Sequence, residues 1–284
     1  MANLKEIRDR IKSVKSIQQV TKAMKMVAAA KLRRAQQNME QSRPYTNNLE
    51  KMIASLLPDV ERSMLALLEV RPVKRSAFLV ISSDRGLAGS FNTNIIKKTQ
   101  TEIDVLGKDN VDIFCVGKKA RDYFKKRDYN IIEEHVDFWS DLNFGHAIKI
   151  GSGVIAEFLR GDVDEIKVVY NLFKNIAVQE VKSKILLPIN YEDSESKQMD
   201  RLYEPSKIEL VDALIPRHLN VQVWQFLLES YASEMAARMV SMENATTNAD
   251  DMIKSLQLEF NKARQAAITK EILEIVGGAE ALAG

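Results

Sequence analysis

The chain has 284 residues, 45% of them hydrophobic, which is enough to bury one or two cores. Its net charge of +2 hides a strong polarity: residues 1–43 carry 11 lysines or arginines against three acids (Glu6, Asp9, Glu40), a local +8, while the remainder stands at −6. A lone Cys115 excludes an intrachain disulfide, and no window approaches the ~18–20 apolar residues of a membrane span.

The N-terminus lacks the apolar core of a secretory signal. Its basic, acid-poor composition is that of a transit peptide, but an apolar repeat starts at Leu4 and runs on unbroken, so the segment reads as mature structure. That repeat is Leu4, Ile7, Ile11, Val14, Ile17, Val20, Met24, Ala28, Leu32, Ala35 and Met39, at steps of three or four. It predicts a long helix with a coiled-coil seam over 1–58, interrupted or bent at Pro44 and ended by Pro58-Asp59. A connection follows over 59–75, with room for a short helix at Met64–Leu68.

From Ser76 the period changes. Ala77–Ile81, Val111–Val116, Ile131-Ile132 and Ile166–Tyr170 are short β-branched or aromatic runs, separated by helix-like stretches near 92–106, 118–127 and 146–160. This alternation predicts a mainly parallel α/β base over 76–190, with Val178–Leu187 returning as an antiparallel edge strand. Cys115 falls inside one of the strands, where a buried and inert thiol is expected.

Residues 191–216 read as a linker, with Pro205 and Pro216 bracketing the approach to the last helix. That helix is expected from 217, stopping at Gly277-Gly278 within a terminal segment 217–284. Its seam is Leu228, Tyr231, Met235, Met239, Met242, Thr246, Ala249, Ile253, Leu256, Phe260, Ala263 and Ala267. A chain that leaves a compact domain and returns to it should lay its two terminal helices side by side and antiparallel, as a shaft on a base. The seam fades after Ala267, so Ile268, Ile272, Ile275 and Val276 should form a lone tip. Ala28-Ala29-Ala30 and Ala263, Ala266 and Ala267 suggest a close crossing of the two helices, or simply good helix formers.

Chemistry is sparse. The turn Ser82-Ser83-Asp84-Arg85-Gly86-Leu87-Ala88-Gly89-Ser90 stands where a doubly wound sheet places its phosphate loop, but it lacks the third glycine of a dinucleotide fingerprint, and no GxxxxGK[ST] run exists. A strand-to-helix turn that needs glycine is the plainer reading. His135, His146 and His218 have no Cys or carboxylate partners at ligand spacing, so neither a metal nor a cofactor is expected. Glu133-Glu134 and Asp250-Asp251 read as solvated faces or helix starts. No catalytic constellation can be assembled, and the chain is not expected to be an enzyme by itself.

The basic first helix suits nucleic acid, a membrane surface or an acidic protein surface. Against nucleic acid, residues 1–44 contain no aromatic side chain for stacking, and Lys5, Arg8, Lys12, Lys15, Lys22, Lys25, Lys31, Arg33 and Arg34 are spread around the helix. A rod charged on most sides suits a ring of acidic surfaces around it. A basic helical nucleic-acid or membrane-surface binder remains the alternative of a different class.

The stretches Ile17–Arg34 (IQQVTKAMKMVAAAKLRR), Ser42–Tyr45 (SRPY), Ser82–Ser90 (SSDRGLAGS), Leu202–Pro205 (LYEP), Ser233–Val240 (SEMAARMV) and Asn261–Ala279 (NKARQAAITKEILEIVGGA) resemble the gamma subunit of F-type ATP synthases, collinearly over essentially the whole chain. The resemblance implies an antiparallel coiled coil on a Rossmann-like base that binds no nucleotide. It implies a non-catalytic rotor at the centre of three alpha and three beta subunits, docked with the epsilon subunit on a membrane ring of c subunits. Such a protein would lie on the cytoplasmic side of a bacterial plasma membrane and touch the membrane only through the c-ring.

By the same resemblance, Met24 sits at a neck of the shaft, with Arg238, Gln265 and Thr269 facing it or its beta-subunit contacts. Lys262, Arg264 and Gln265 would catch beta-subunit loops. Arg85, with Lys97 on the following helix, would meet an acidic lever loop of the beta subunit, and Tyr203 would lie near epsilon and the c-ring. Two departures stand out: Lys25 occupies a place where many relatives carry an acid, and the paired cysteines of the light-regulated chloroplast form are missing.

Overall fold

A computed structural model describes residues 4–57, 65–189, 204 and 206–283. The element order is α1 (Leu4–Leu56), a 3₁₀ turn at Ala66–Leu68, β1 (Ser76–Ile81), α2 (Phe91–Leu106), β2 (Val111–Val116), α3 (Lys118–Lys125), β3 (Asn130–His135), α4 (Phe144–Arg160), β4 (Glu165–Phe173), β5 (Gln179–Leu187) and α5 (Lys207–Ala283). Two compact units result: one runs from Ala28 to Arg238, and the other joins the start of α1, up to Val27, to α5 from Met239 onward.

The larger unit is built on a five-stranded sheet in the order β3-β2-β1-β4-β5. The first four strands are parallel neighbours, and β5 pairs antiparallel to β4 as the expected edge strand. Every residue of β1 and β2 is buried, because helices cover both faces of the sheet and force apolar side chains to both sides. Phe78, Val80, Ile113 and Cys115 pack under α2 and α3. Ala77, Leu79, Phe114 and Val168 pack on the opposite face, under α4 and the inner stretches of α1 and α5. Burial pushes the Cys115 thiol up to about 12, in keeping with the expected inert side chain.

Local signals set the element ends. The Asn143 side chain accepts from Gly145 N at 3.0 Å, and His146 Nδ1 accepts from Asn143 N at 3.3 Å, closing a capping box at the start of α4. At the other end of α4, Gly161 takes a left-handed φ of 80°. The first residues of β1 and β2 are tied by Arg75, whose guanidinium donates to both Asp112 oxygens at 2.6 and 2.7 Å.

Several expectations fail at prolines and glycines. α1 runs unbroken through Pro44, and α5 starts at Lys207, ahead of the expected 217, and runs through Pro216. Buried side chains flank both prolines (Ala35 and Leu49; Val211, Ile215 and Leu219), and burial of this kind offsets the one backbone hydrogen bond a proline removes. α5 also continues through Gly277-Gly278 to Ala283. Neither glycine takes the left-handed conformation that ends a helix in this way.

In the smaller unit α1 and α5 run antiparallel. Ile7, Ile11 and Val14 pack with Ala249, Ile253, Leu256, Phe260 and Ala263. Beyond them the seam turns polar. Ile17 and Val20, expected inside, are 55% and 58% exposed, and Thr21 is buried in their stead. At 100° per residue, Ile17 and Val20 lie about 60° and 120° from the direction of Val14, whereas Gln18 and Thr21 lie about 40° and 20° from it. Gln18 Nε2 donates to Asp250 Oδ1 (3.3 Å), the Thr21 and Thr246 hydroxyls meet at 2.8 Å, and Lys25 pairs with Glu243 at 2.7 Å.

This register places Ala263 beside Ile7 and Ile11, so the alanine crossing expected near Ala28 does not form. α5 does not restart near Asp250-Asp251 either; it is continuous there, and Lys254 bridges both carboxylates. Every residue from Arg264 to Ala279 is exposed, and the lone tip therefore begins four residues earlier than the fading seam suggests.

Candidate functional site

The turn between β1 and α2 is heavily bonded, and its bonds reach sideways to α3. Gly117, between β2 and α3, adopts φ +91° with its α-carbon pressed against the end of β1, where an added Cβ would stand 2.3 Å from Ser82 O. That approach lets the turn cap α3. Asp84 Oδ1 accepts from Lys118 N (2.9 Å), Ser83 O from Lys119 N (3.1 Å) and Ser82 Oγ from Ala120 N (2.9 Å). The other Asp84 oxygen accepts from Asp137 N at 2.9 Å. The first three amides of α3, an anion-binding group in many doubly wound sheets, are therefore occupied by the chain's own oxygens, with a carboxylate among them.

The apex of the turn is held differently. Asn92 ties Ser83, and the Ser83 hydroxyl donates to Arg85 O at 2.7 Å. Leu87 has a positive φ of 62° and is 64% exposed. From α5, Arg238 Nη2 donates to Gly86 O at 3.2 Å and to Glu234 Oε1 at 2.6 Å. The Arg238 and Glu234 side chains are only 11% and 5% exposed. Burial raises the Glu234 pKa, and the charge of Arg238 opposes that rise. One turn earlier on α5, Ser230 and Ser233 bond the backbone N and O of Asn171 near the end of β4.

The expected site residues fall into three groups. Arg85 is exposed at the turn, and Lys97 is exposed on α2, opposite the buried Ile95 and Thr99. Met24 is half-buried next to the Lys25–Glu243 pair. Lys262, Arg264, Gln265 and Thr269 are exposed on α5. Gln265 lies 22 residues beyond Glu243, about 33 Å along the helix, so neither it nor Thr269 faces Met24. Tyr203 lies outside the described residues. Arg238 is nearly enclosed and committed to Glu234 and Gly86, a link that sequence reasoning missed. The Glu-x-x-x-Arg spacing did advertise the helical pair, but nothing in the sequence pointed to the carbonyl of Gly86.

One unit pairs the two terminal helices antiparallel, and the other is a doubly wound α/β domain whose turn is spent on internal bonds. Residues 3–282 match the family described as ATP synthase. The chain is 50% identical to the ATP synthase gamma chain of Prosthecochloris aestuarii and 46% identical to that of Chlorobium phaeobacteroides strain BS1, covering all of both proteins and of itself. A chain of the Euglena gracilis mitochondrial ATP synthase, solved by cryo-EM as OSCP/F1/c-ring in rotational state 3, has the same fold, with a TM-score of 0.69 at 23% identity over 98% of this chain and 94% of that one. The chain belongs to the ATP synthase gamma-chain family. Among the described residues, no helix is long and apolar enough to cross a membrane.

Proposed function

We propose that the chain is the central-stalk rotor of an F-type ATP synthase, coupling ion-driven rotation of a c-ring to ATP synthesis and hydrolysis at sites on the beta subunits. The observation that carries this reading is the full-length identity to gamma chains, terminal helices included. The chain itself performs no bond chemistry. It biases which state each catalytic site populates, and it does so by differential contact as it turns.

In this reading, α1 and α5 stand inside a ring of three alpha and three beta subunits, and Met24 faces the ring at the neck. The exposed Lys262, Arg264, Gln265 and Thr269 meet beta-subunit loops, Arg offering charge-assisted hydrogen bonds. Arg85 and Lys97 meet an acidic lever loop. The basic excess of α1 complements acidic inner surfaces. Tyr203 meets epsilon and the c-ring, and through them the complex sits peripherally on the cytoplasmic face of a bacterial plasma membrane.

Co-expression with alpha, beta and epsilon subunits tests this. The chain should co-purify with them, and the complex reconstituted with its membrane sector should pump protons or sodium on ATP addition. Failure to assemble, or steep salt-dependent binding to DNA by the chain in place of assembly, would reject the rotor in favour of a nucleic-acid binder.

A further inference from the structure

The near half of the Ser82–Ser90 turn is locked to α3 through Ser82, Ser83 and Asp84. Ala88 and Ser90 accept from the first turn of α2, and the exposed apex between, Arg85 to Leu87, is held by Ser83 Oγ to Arg85 O and by Arg238 Nη2 to Gly86 O. The second of these comes from α5. Ser230, Glu234 and Arg238 follow one another at steps of four, with Ser233 three residues beyond Ser230, and so lie on one face of that helix. The same face bonds the end of β4 and the apex of the β1 turn.

Arg238 Nη2 has two N–H bonds, and one goes to each oxygen. Glu234 Oε1 fixes the guanidinium at 2.6 Å, leaving the second N–H aimed at Gly86 O. The Arg238–Glu234 pair is almost closed to solvent, so water is a poor substitute for Glu234, whereas the bond to Gly86 O lies at the exposed apex of the turn.

We infer that Arg238 and Glu234 are positioning residues: together they clasp the apex of the β1 turn to α5, so that Arg85 and Leu87 move as one body with the turning helix. Arg238 thus acts through Gly86 and not by touching a beta subunit itself. This inference rests on the rotor reading for its link to coupling, but not for the clasp.

Three variants separate the clasp from a merely buried charge pair. Arg238→Lys keeps a cation for Glu234 but lacks the forked second donor, Arg238→Gln removes the charge, and Glu234→Gln frees the guanidinium. Trypsin cuts after exposed arginines, so cleavage after Arg85 in the purified full chain reports release of the apex. Loss of one charge-assisted hydrogen bond at the exposed apex should raise the open population, and with it that cleavage rate, about 3-fold or more. Cleavage elsewhere should be unchanged.

In the reconstituted complex, ions pumped per ATP hydrolysed should fall at least about 3-fold in Arg238→Lys as well as in Arg238→Gln. A structural charge pair would be rescued by lysine. Wild-type cleavage after Arg85 in Arg238→Lys and Glu234→Gln overturns the clasp. Faster cleavage with an unchanged pumping ratio overturns its role in coupling. If the wild-type complex itself fails to assemble or pump, the rotor reading falls and the coupling role with it, while the cleavage measurement still decides the clasp.

Discussion

Gly117→Ala should be among the most destabilising single substitutions in this chain. Its φ of +91° lies where L side chains rarely go, which costs about 1–3 kcal/mol. The added Cβ would also stand 2.3 Å from Ser82 O, 2.7 Å from Ser82 C and 2.8 Å from Ser82 Oγ. Two of these are backbone atoms at the end of a buried strand, and they cannot swing aside. Moving Ser82 stretches Ser82 N to Val116 O (2.7 Å) and Ala120 N to Ser82 Oγ (2.9 Å). Losing one or two buried hydrogen bonds costs a further ~1–3 kcal/mol, for a total of roughly 3–5 kcal/mol.

At about 2–4 °C per kcal/mol for a unit of this size, the apparent Tm should fall by roughly 6–20 °C, read by circular dichroism on the purified chain. Gly86→Ala is the matched control: it sits in the partner turn, with nothing within 4 Å of the added Cβ and no positive φ, and should change stability by less than ~0.5 kcal/mol. A Gly117→Ala chain as stable as wild type, or a Gly86→Ala chain destabilised equally, would refute the close-approach reasoning.

Asp112→Ala should cost about 1–3 kcal/mol in denaturant unfolding, since it removes the acceptor of Arg75 (2.6 and 2.7 Å) and Asn130 (2.5 Å) while the half-exposed Arg75 regains water. Burial works to raise the Asp112 pKa, but hydrogen bonds from Arg75 and Asn130 hold it below the ordinary value; its contribution should be whole above about pH 4 and lost as pH falls further. His218 is held at about 4 by burial, with Lys184 adding to the effect. The unfolded chain therefore takes up that proton first, and stability should drop by on the order of 2–3 kcal/mol as pH falls from about 6.5 to 4. His218→Leu should flatten that slope, and an unaltered slope in urea melts at pH 7 and pH 5 would contradict the assignment. Deleting 268–284 should leave the Tm of the chain within about 1 °C, because Ile268, Ile272, Leu273, Ile275 and Val276 are all exposed, but should lower ATP-driven pumping in the complex; unchanged pumping would remove the tip from the coupling path.

Much of the sheet was legible because its strands are dense β-branched runs buried on both faces, and a run such as Val111–Val116 admits few other readings. The helix ends were less legible. Pro44 and Pro216 act as breakers only when local backbone preference decides, and in α1 and α5 long-range packing overrides it; Gly277-Gly278 lies in the exposed tip, and packing does not explain the helix that continues through it. The seam of α1 failed for another reason. Ile17 and Val20 satisfy the three-or-four spacing arithmetically, yet successive steps of three drift off the buried face. Thr21 and Gln18, which a count of apolar residues ignores, hold the interior positions. At the turn, sequence position gave the place and glycine gave the close approach, though the glycine that matters most is Gly117, just after the neighbouring strand. The Arg238–Gly86 bond joins residues 152 apart through a backbone atom, and a carbonyl leaves no trace in composition.

That bond and the α3 cap together explain how a nucleotide-type sheet serves a mechanical purpose. A doubly wound sheet offers ligands the crevice where its strand order reverses, here between β1 and β4. On the β4 side, Asn171 is bonded by Ser230 and Ser233; on the β1 side, Gly86 is bonded by Arg238. α5 thus takes up hydrogen-bonding groups on both sides of the crevice, and Asp84 supplies the negative charge that a phosphate would bring to α3. A base that spends its crevice on its own long helix ties both sides of that crevice to the helix, as a torque-bearing element requires. Variants that open the clasp should therefore lose transmission before they lose the fold.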